Sequence, residues 1–426
     1  MPSTFFGLNI ASSGLSAYQV ALNTTANNIA NVQTTGYSRQ QSNRVASDAL
    51  LVHQQYGAVG SGVTTLSVKQ IRNQYYDTKY WYNQSSVGLY ETKLSYLQQI
   101  ENYFIDDSSS KGFTTILNTM FNSLDTLKNN ASDVNTRQQF IGSAQNLATY
   151  FNSVSEGLTD IQKGTNDEIK STVQNINAIA EKIAVLNKQI NVIEIQGGYA
   201  NELRDQRALL IDELSEIVPT EVSEITDTNH PDEPTGANYY TVKIGGQVLV
   251  DTYNYETLEC KAREYKVNQT DAAGLYDIKW SKTGNTFNAG GSSMSGTLKA
   301  LFDIRDGNNG ENFSGLAKVL NSTEVQITNP SITSIVGVSM PEEGILTING
   351  REYAYEGFTF EQDADGNITS YTFNMKRALT AEEQARVDGR TASVGTSIDA
   401  MGIPYYMSQM NQFLRSFATE FNNILK

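Results

Sequence analysis

The side chains best suited to acid–base or metal chemistry are scarce in this chain. It contains two histidines, His53 and His230, and one cysteine, Cys260. Zinc sites and nucleophilic active sites draw on clusters of such residues at fixed spacings, and the sequence has no HExxH, CxxC or GxSxG motif. A pair of Cys260 with a histidine stays open on sequence alone, but a packed thiol in a strand is the simpler interpretation. We therefore expect no catalytic residues, no bound metal and no cofactor.

Two short segments share part of a ligand-loop pattern. Residues 363–367, Asp-Ala-Asp-Gly-Asn, begin like a calcium loop. The positions where an EF-hand requires glycine and glutamate hold Ile368 and Asn374 instead, so a tight β-turn is the better interpretation. The glycine-rich stretch 57–62 does not open a helix, which argues against a phosphate-binding loop. Both segments are expected to be structural.

Charge and length limit the possible partners. The chain has 426 residues, which suggests about two to four domains, and its formal net charge is -15. Such a chain repels phosphate backbones and anionic membrane surfaces. No apolar run approaches the roughly 18–20 residues of a membrane span, and the N-terminus lacks the basic and apolar regions of a cleavable signal peptide. We expect neither a nucleic-acid nor a membrane partner.

Proline placement divides the chain into a helical part and a β-rich part. After Pro2 the next proline is Pro219, and a long proline-free stretch permits long helices. Apolar periodicity predicts helices over about 4–32, 68–104, 113–129, 134–163, 166–196 and 200–216. Beyond Pro219 the period changes to two, which predicts hairpins near 240–250, 346–355 and 365–367, with a short helix at 295–305 between them.

Apolar stripes with a seven-residue repeat mark helices at both ends of the chain. The first helix carries Leu8, Leu15, Leu22 and Ile29. The last helix, over 404–425, carries two such series, namely Met407, Leu414 and Phe421 together with Met410, Phe417 and Ile424. These stripes are typical of coiled-coil seams. For the first helix, an amphipathic helix packed on its own domain is the alternative.

These patterns predict an α+β fold. We expect a coiled-coil-like bundle of long helices formed by both ends of the chain, with β-rich domains inserted between them. The expected divisions are an N-terminal assembly helix and irregular linker (1–66), a helical bundle domain (67–218), a β-rich domain ending in a short helix (219–313), a second β-rich insert (314–402) and a return helix packing on the bundle (403–426).

Residues 26–40 form a motif that is more specific than periodicity. They resemble the N-terminal signature NNIANxxTxGYxRQ of flagellar rod, hook and hook-associated proteins through Asn27, Asn28, Ile29, Asn31, Gly36, Tyr37, Arg39 and Gln40. The amides of the three asparagines are expected to satisfy backbone groups where the helix ends. Gly36 would permit the turn that follows.

A second stretch narrows the resemblance. Residues 201–214 are similar to the NDLxDQRDxLLxELS stretch of the hook-associated protein 1 (FlgK) family, with Ala208 in place of the usual acidic residue. Hook and rod proteins turn to β structure soon after the first motif. The long helical part of this chain therefore favours the hook-associated family over them.

The resemblance implies a structural component of the bacterial flagellum that joins the hook to the filament. It would assemble as a ring or helical layer through terminal coiled-coil helices. The implied partners are further copies of itself, the hook protein below, the next junction protein and the filament above, and the flagellar export chaperone and apparatus. The protein would be secreted to the flagellum without a cleavable signal peptide.

The resemblance also bears on length and on rival functions. Members of this family continue beyond the position of Lys426 and end in a helix that pairs with the N-terminal one, so the chain is expected to be C-terminally incomplete. One rival is a secreted coiled-coil adhesin or translocator, which would not need the motif at 26–40. Another rod or hook axial protein is a second rival, and an enzyme carried in a β insert is a third.

Overall fold

The computed structural model describes residues 5–51, 57–107, 111–226 and 238–425. They fold into an α+β architecture, as the sequence predicts. The helices of these residues are α1 (Phe6–Ala30), α2 (Gln74–Asn102), α3 (Phe113–Asn129), α4 (Val134–Glu194), α5 (Asn201–Ile217), α6 (Gly296–Asp306), α7 (Ala381–Val387) and α8 (Ile403–Leu425). No helix in the described ranges combines the length and apolarity needed to cross a membrane.

The strands form several antiparallel sheets. They are β1 (Gln40–Ala46), β2 (Leu50–Leu51), β3 (Ala58–Val59), β4 (Val63–Gln70), β5 (Thr220–Thr226), β6 (Asn238–Ile244), β7 (Gln247–Asp251), β8 (Asn254–Tyr255), β9 (Leu258–Ala262), β10 (Tyr276–Trp280), β11 (Phe313–Val319), β12 (Glu324–Thr328), β13 (Gly344–Ile348), β14 (Arg351–Gln362), β15 (Ile368–Met375) and β16 (Thr391–Val394). β1 pairs with β4, β2 with β3 and β9 with β10, while β5 to β8 form one sheet in sequence order. The strands β11 to β16 close into a barrel.

The chain divides into two compact units, to which α2 and α4 each contribute residues. Unit 1 comprises Met1–Val87, Gln174–Leu258 and Trp280–Gly284, and unit 2 comprises Gly88–Val173, Glu259–Lys279 and Asn285–Lys426. The division into five parts made from the sequence stays a prediction.

In unit 1, α1 lies along the hairpin formed by β1 and β4. The hydroxyl of Ser13 accepts a hydrogen bond from the backbone N–H of Val63 at 3.3 Å. A side chain at Gly62 would collide with the Ser13 hydroxyl, and its φ of 114° also favours glycine. Ala17 and Thr24 are buried on α1. The small residues therefore allow the helix to approach the hairpin closely.

In unit 2, the barrel has a filled interior. Its strand order is β11-β12-β15-β14-β13-β16, so the first strand pairs with the last, Phe313 opposite Val394. Buried residues alternate with partly buried ones along β12 and β13, and with partly buried or exposed ones along much of β15, which is the period of two expected of a closed sheet. The interior contains large apolar side chains, among them Phe313, Tyr355, Tyr371 and Phe373.

The structure corrects two helix boundaries. Residues 68–70 belong to β4, because Gln40 to Ser42 pair with them, and α2 begins only at Gln74. The two helices predicted over 134–163 and 166–196 are one helix, α4, of 61 residues. It continues through Gly164 because nothing there stops the backbone hydrogen bonds, as a proline would. His53 and His230 lie outside the described residues.

Candidate assembly site

The apolar stripe of α1 is exposed to solvent. Leu8, Leu15, Leu22 and Ile29 are 64–71% accessible, although leucine and isoleucine are usually buried. Tyr18, at the intervening heptad position, is also exposed. The side of α1 that holds Ala17 packs on the hairpin instead. The heptad seam therefore has no cover within the described part of the chain.

The motif at 26–40 connects the end of α1 to the start of β1. The side-chain amide of Asn28 bonds both backbone groups of Gln40: its Oδ1 accepts from the N–H at 2.8 Å and its Nδ2 donates to the carbonyl at 2.8 Å. The hydroxyl of Tyr37 donates to the same Oδ1 at 2.9 Å and accepts from Nδ2 of Asn27 at 3.2 Å. Asn31 donates to the Asn27 carbonyl at 3.0 Å. The expectation that all three asparagine side chains satisfy backbone groups at the helix end therefore holds for Asn31 alone. Asn28 instead bonds the backbone at the start of β1, and the Asn27 side chain bonds the side chains of Tyr37 and Asn31.

Two further motif residues are placed by the turn. Gly36 has a φ of 79°, a conformation that favours glycine, and it faces the side chain of Leu209. The carbonyl of Arg39 accepts a hydrogen bond from the N–H of Ile71 at 2.7 Å, while the Arg39 side chain is exposed.

The first turn of α5 meets the motif. The Asp205 carboxylate accepts a hydrogen bond from the N–H of Ser38 at 3.1 Å, and Glu202 accepts one from Nε2 of Gln40 at 3.1 Å. Burial raises the pKa of the Asp205 carboxyl. Burial, with the Asp205 and Glu202 carboxylates adding to it, raises the pKa of the Tyr37 hydroxyl. The two stretches that carry the family resemblance are therefore in contact.

Asn201 in the same turn holds the other strand of the hairpin. Its Oδ1 accepts from the N–H of Gln70 at 3.1 Å and its Nδ2 donates to the carbonyl of Val68 at 2.9 Å. The sequence pointed to 201–214 by resemblance but assigned no role to Asn201, Glu202 or Asp205. The sequence feature that could have indicated such a role is the Asn-Glu-x-x-Asp pattern at the start of the helix.

The stripe of the return helix is buried at its first end and exposed at its last. Met407 and Met410 are buried, Leu414, Phe417 and Phe421 are partly buried, and Ile424 is exposed. Aromatic contacts attach α8 to its neighbours within unit 2. The Phe413 ring lies 5.3 Å from that of Phe113, and Phe421 stacks on Phe140 at 6.3 Å. Unlike the stripe of α1, this one is largely covered within the chain.

Little in the described ranges offers reaction chemistry. No group of three or more His, Cys, Asp or Glu side chains there could hold a metal ion. Cys260 is a partly buried free thiol, and burial raises its pKa, which disfavours the nucleophilic thiolate. The described residues instead form an exposed apolar surface on α1 and hydrogen bonds that connect α1, the hairpin and α5.

Comparison with known families agrees with this geometry. Residues 8–37 match the family described as "Flagella basal body rod protein". Residues 97–329, more than half of the chain, match "Flagellar hook-associated protein FlgK helical domain". The chain therefore belongs to the FlgK family of hook-associated proteins, as its motifs predict.

Individual relatives carry the same description. The chain is 39% identical over 228 residues to "Flagellar hook-associated protein 1" of Bacillus subtilis (strain 168), covering 52% of this chain and 45% of that protein. It is 34% identical over 223 residues to the protein of that name from Salmonella typhimurium and over 218 residues to that of Escherichia coli (strain K12). Each of these two matches covers 51% of this chain and 39% of the relative. The matched regions thus span less than half of each relative.

One solved structure is also similar. It is "The structure of the flagellar hook junction protein FlgK from Burkholderia pseudomallei", with a TM-score of 0.45 and 17% sequence identity. The match covers 76% of this chain and 63% of that one.

Proposed function

We propose that this protein is a structural component of the bacterial flagellum that joins the hook to the filament, and that it acts by assembly and not by catalysis. The observation that carries the proposal is the exposed stripe of Leu8, Leu15, Leu22 and Ile29 on a helix held in place by its opposite side. Membership of the FlgK family supports the flagellar context. The family gives no support to the adhesin or translocator alternative.

The stripe is suited to helix-to-helix association. Burying a leucine or isoleucine side chain contributes roughly 1.5–3 kcal/mol, so four such residues supply a substantial driving force when copies meet. A contact between different surfaces of successive copies gives a ring where the rotation between copies closes and a helical layer where it does not. The proposed partners are further copies of this protein, the hook protein below, and the next junction protein and filament above.

Export and location belong to the same proposal. The protein reaches the extracellular flagellum through the flagellar export apparatus, and a flagellar export chaperone is a further proposed partner. An acidic chain with net charge -15 also resists premature self-association.

A cell-based experiment tests the function. In a strain whose own copy of the gene is deleted, we expect hooks without filaments, and the wild-type gene should restore filaments. The variant Leu15→Asp/Leu22→Asp should be exported and folded but fail to restore them, because two charges in the seam prevent association. Electron microscopy of hooks and circular dichroism of the purified protein provide the measurements.

The matched control is Ser16→Asp/Asn23→Asp. These residues are exposed on α1 and adjacent to the stripe but outside it, so this variant should restore filaments normally. Normal filaments from the Leu15→Asp/Leu22→Asp variant would show that the stripe is not the assembly surface. Normal filaments in the deletion strain would overturn the junction function as a whole.

A further inference from the structure

α1 and the hairpin β1–β4 form an arm, and side chains at the start of α5 hydrogen-bond to the two strands of that hairpin and to the residues just before it. We infer that the first turn of α5 is the anchor of this arm, with Asn201 and Asp205 as the positioning residues that set the direction of α1 for assembly. This inference rests on the proposed function, because it gives the arm its role. It goes beyond that function by naming what orients the assembly helix.

Asn201 takes the place of a neighbouring strand at the edge of β4. Its side-chain amide presents an acceptor to the N–H of Gln70 and a donor to the carbonyl of Val68, at 3.1 and 2.9 Å. A carboxamide can satisfy both groups because it carries the same donor and acceptor as a peptide unit. Asn201 is 6% exposed, so water does not readily replace these bonds.

Asp205 and Glu202 hold the other strand from the same turn. Asp205 is 7% exposed, and its Oδ2 accepts from the N–H of Ser38. Glu202 accepts from the side chain of Gln40, whose backbone is bonded in turn by Asn28 at the end of α1. Hydrogen bonds therefore connect α5 to the start of β1, and the start of β1 to the end of α1.

The length of α1 amplifies any movement at the anchor. A helix of 25 residues is about 37 Å long at roughly 1.5 Å per residue. The anchored end is the C-terminal one, so a tilt of about 10° displaces the far end, near Leu8, by roughly 6 Å. Apolar contacts require heavy atoms within about 4–4.5 Å. A seam formed by several copies therefore requires a fixed direction of the arm.

The chemistry of Asp205 provides a conservative variant. Its Oδ1 has no hydrogen-bond partner among the described residues, and only Oδ2 is used, as an acceptor. Asp205→Asn keeps one acceptor oxygen for Ser38 and removes the charge, whereas Asp205→Ala removes the acceptor. If Asp205 acts through this hydrogen bond, the asparagine variant should behave like the wild type.

The test combines amide hydrogen exchange on the purified full chain with filament formation in the deletion strain. For Asn201→Ala and Asp205→Ala we expect exchange at Gln70 and Ser38, respectively, to accelerate at least tenfold, with the main melting transition retained. Filament-bearing cells should fall at least tenfold. Asp205→Asn should restore both readouts, and Gln206→Ala, an exposed neighbour in α5, should leave both unchanged.

The outcomes separate the inference from the function on which it rests. Unchanged exchange in both alanine variants overturns the anchor. Faster exchange with normal filaments also overturns the inference, since the direction of α1 then does not matter, while the stripe variants decide the junction function independently. If Asn201→Ala fails to fold, Asn201→Leu, which keeps the side-chain volume but removes both the acceptor for Gln70 and the donor to Val68, replaces it with the same expectation at Gln70.

Discussion

Asn177 on α4 binds Leu258, the first residue of β9, through both backbone groups of that residue. Its Oδ1 accepts from the Leu258 N–H at 2.8 Å, and its Nδ2 donates to the Leu258 carbonyl at 2.8 Å. Asn191 binds Asn238, the first residue of β6, in the same way, with both distances 3.0 Å. Within unit 1, α4 thus supplies at two strand ends the hydrogen bonds that another strand would otherwise make.

The contact between Asn177 and Leu258 suggests a substitution that removes one hydrogen bond without changing the size of the side chain. Asn177→Asp keeps an acceptor for the Leu258 N–H but offers no donor to the carbonyl, and it places a negative charge against that oxygen. We expect the free energy of unfolding to fall by about 1–3 kcal/mol, measured by urea denaturation at neutral pH.

Asn175→Asp is the matched control for this substitution. Asn175 lies two residues earlier on α4 and is exposed, so the same change should alter the unfolding free energy by no more than about 0.5 kcal/mol. Equal urea midpoints for the two variants would mean that the Asn177 amide adds nothing beyond what water supplies.

Two glycines of α4 should respond in opposite ways to alanine. A Cβ at Gly157 would collide with the ring of Tyr103, whereas one at Gly164 would meet no atom within 4 Å. Alanine in a helix is favoured over glycine by about 1 kcal/mol. We therefore expect Gly164→Ala to raise the free energy of unfolding above that of the wild type. We expect Gly157→Ala to lower it below the wild-type value by about 1–3 kcal/mol. Thermal or urea unfolding measures both variants.

A double variant identifies the cause of the difference. In a Tyr103→Ala background the collision is absent, so Gly157→Ala should then stabilise the protein about as much as Gly164→Ala does. If Gly157→Ala stabilises the wild type just as much, the Tyr103 ring moves aside without loss and its packing on α4 has no energetic weight.

Tyr240 gives unit 1 a sensitivity to alkaline pH. The side chain is buried, and the guanidinium carbon of Arg207 lies 3.5 Å from the centre of its ring. Burial raises the pKa of Tyr240 from 10.0 to about 12, although the positive charge of Arg207 opposes the rise. The folded pKa is thus the higher one. The stability contributed by the protonated hydroxyl is fully present below pH 10 and is lost as the pH rises to about 12.

We expect Tyr240→Phe to lose less stability than the wild type between pH 10 and about 12. Two pKa units correspond to about 3 kcal/mol, and phenylalanine keeps the ring beneath Arg207 but has no proton to lose. Urea unfolding at a series of alkaline pH values measures the effect. Tyr239→Phe, an exposed neighbour, should follow the wild-type profile, and parallel profiles for all three proteins would contradict the assignment.

The sequence patterns predicted where helices and strands lie better than they predicted which of these elements pair with one another. α3 begins and ends where its periodicity indicates, and α1, α5, α6 and α8 lie within a few residues of the prediction. Proline-free apolar repeats are properties of short segments and can be recognised directly. The closed barrel was not predicted, because the pairing of Phe313 with Val394 joins residues far apart in the chain. The helix α7 was also missed, because its 7 residues are too few to show a clear apolar repeat.

The assembly site shows the same limit. Periodicity predicted the stripe of Leu8, Leu15, Leu22 and Ile29, and the motif drew attention to the asparagines. That Asn28 would reach Gln40, and that Asp205 would hold Ser38, depends on the packing of α5 against the hairpin. A hydrogen bond that spans such a distance in sequence leaves no periodic signal.

The return helix α8 illustrates why an apparently exposed position can be structural. The sequence predicts that Arg415, on the polar side of the heptad stripe, can be replaced with little effect. The contacts of the Arg415 side chain argue against that expectation. The Arg415 guanidinium donates to the carbonyls of Val336 and Val338 at 3.1 and 2.7 Å and so holds the 3-10 turn at Ile335–Gly337.

Substitutions on α8 should therefore fall into three classes. Met407→Asp should unfold the helices of unit 2, because Met407 is 2% exposed beside Ser155 and a buried unpaired charge is among the costliest changes. Arg415→Ala should cost about 1.5–3 kcal/mol, the usual range for hydrogen bonds to a charged group. Ser416→Asp, which adds the same charge at an exposed position of the same helix, should be neutral. Circular dichroism at 222 nm during thermal unfolding measures all three. A Met407→Asp variant that melts like the Ser416→Asp variant would show that α8 is held only by its aromatic contacts further along.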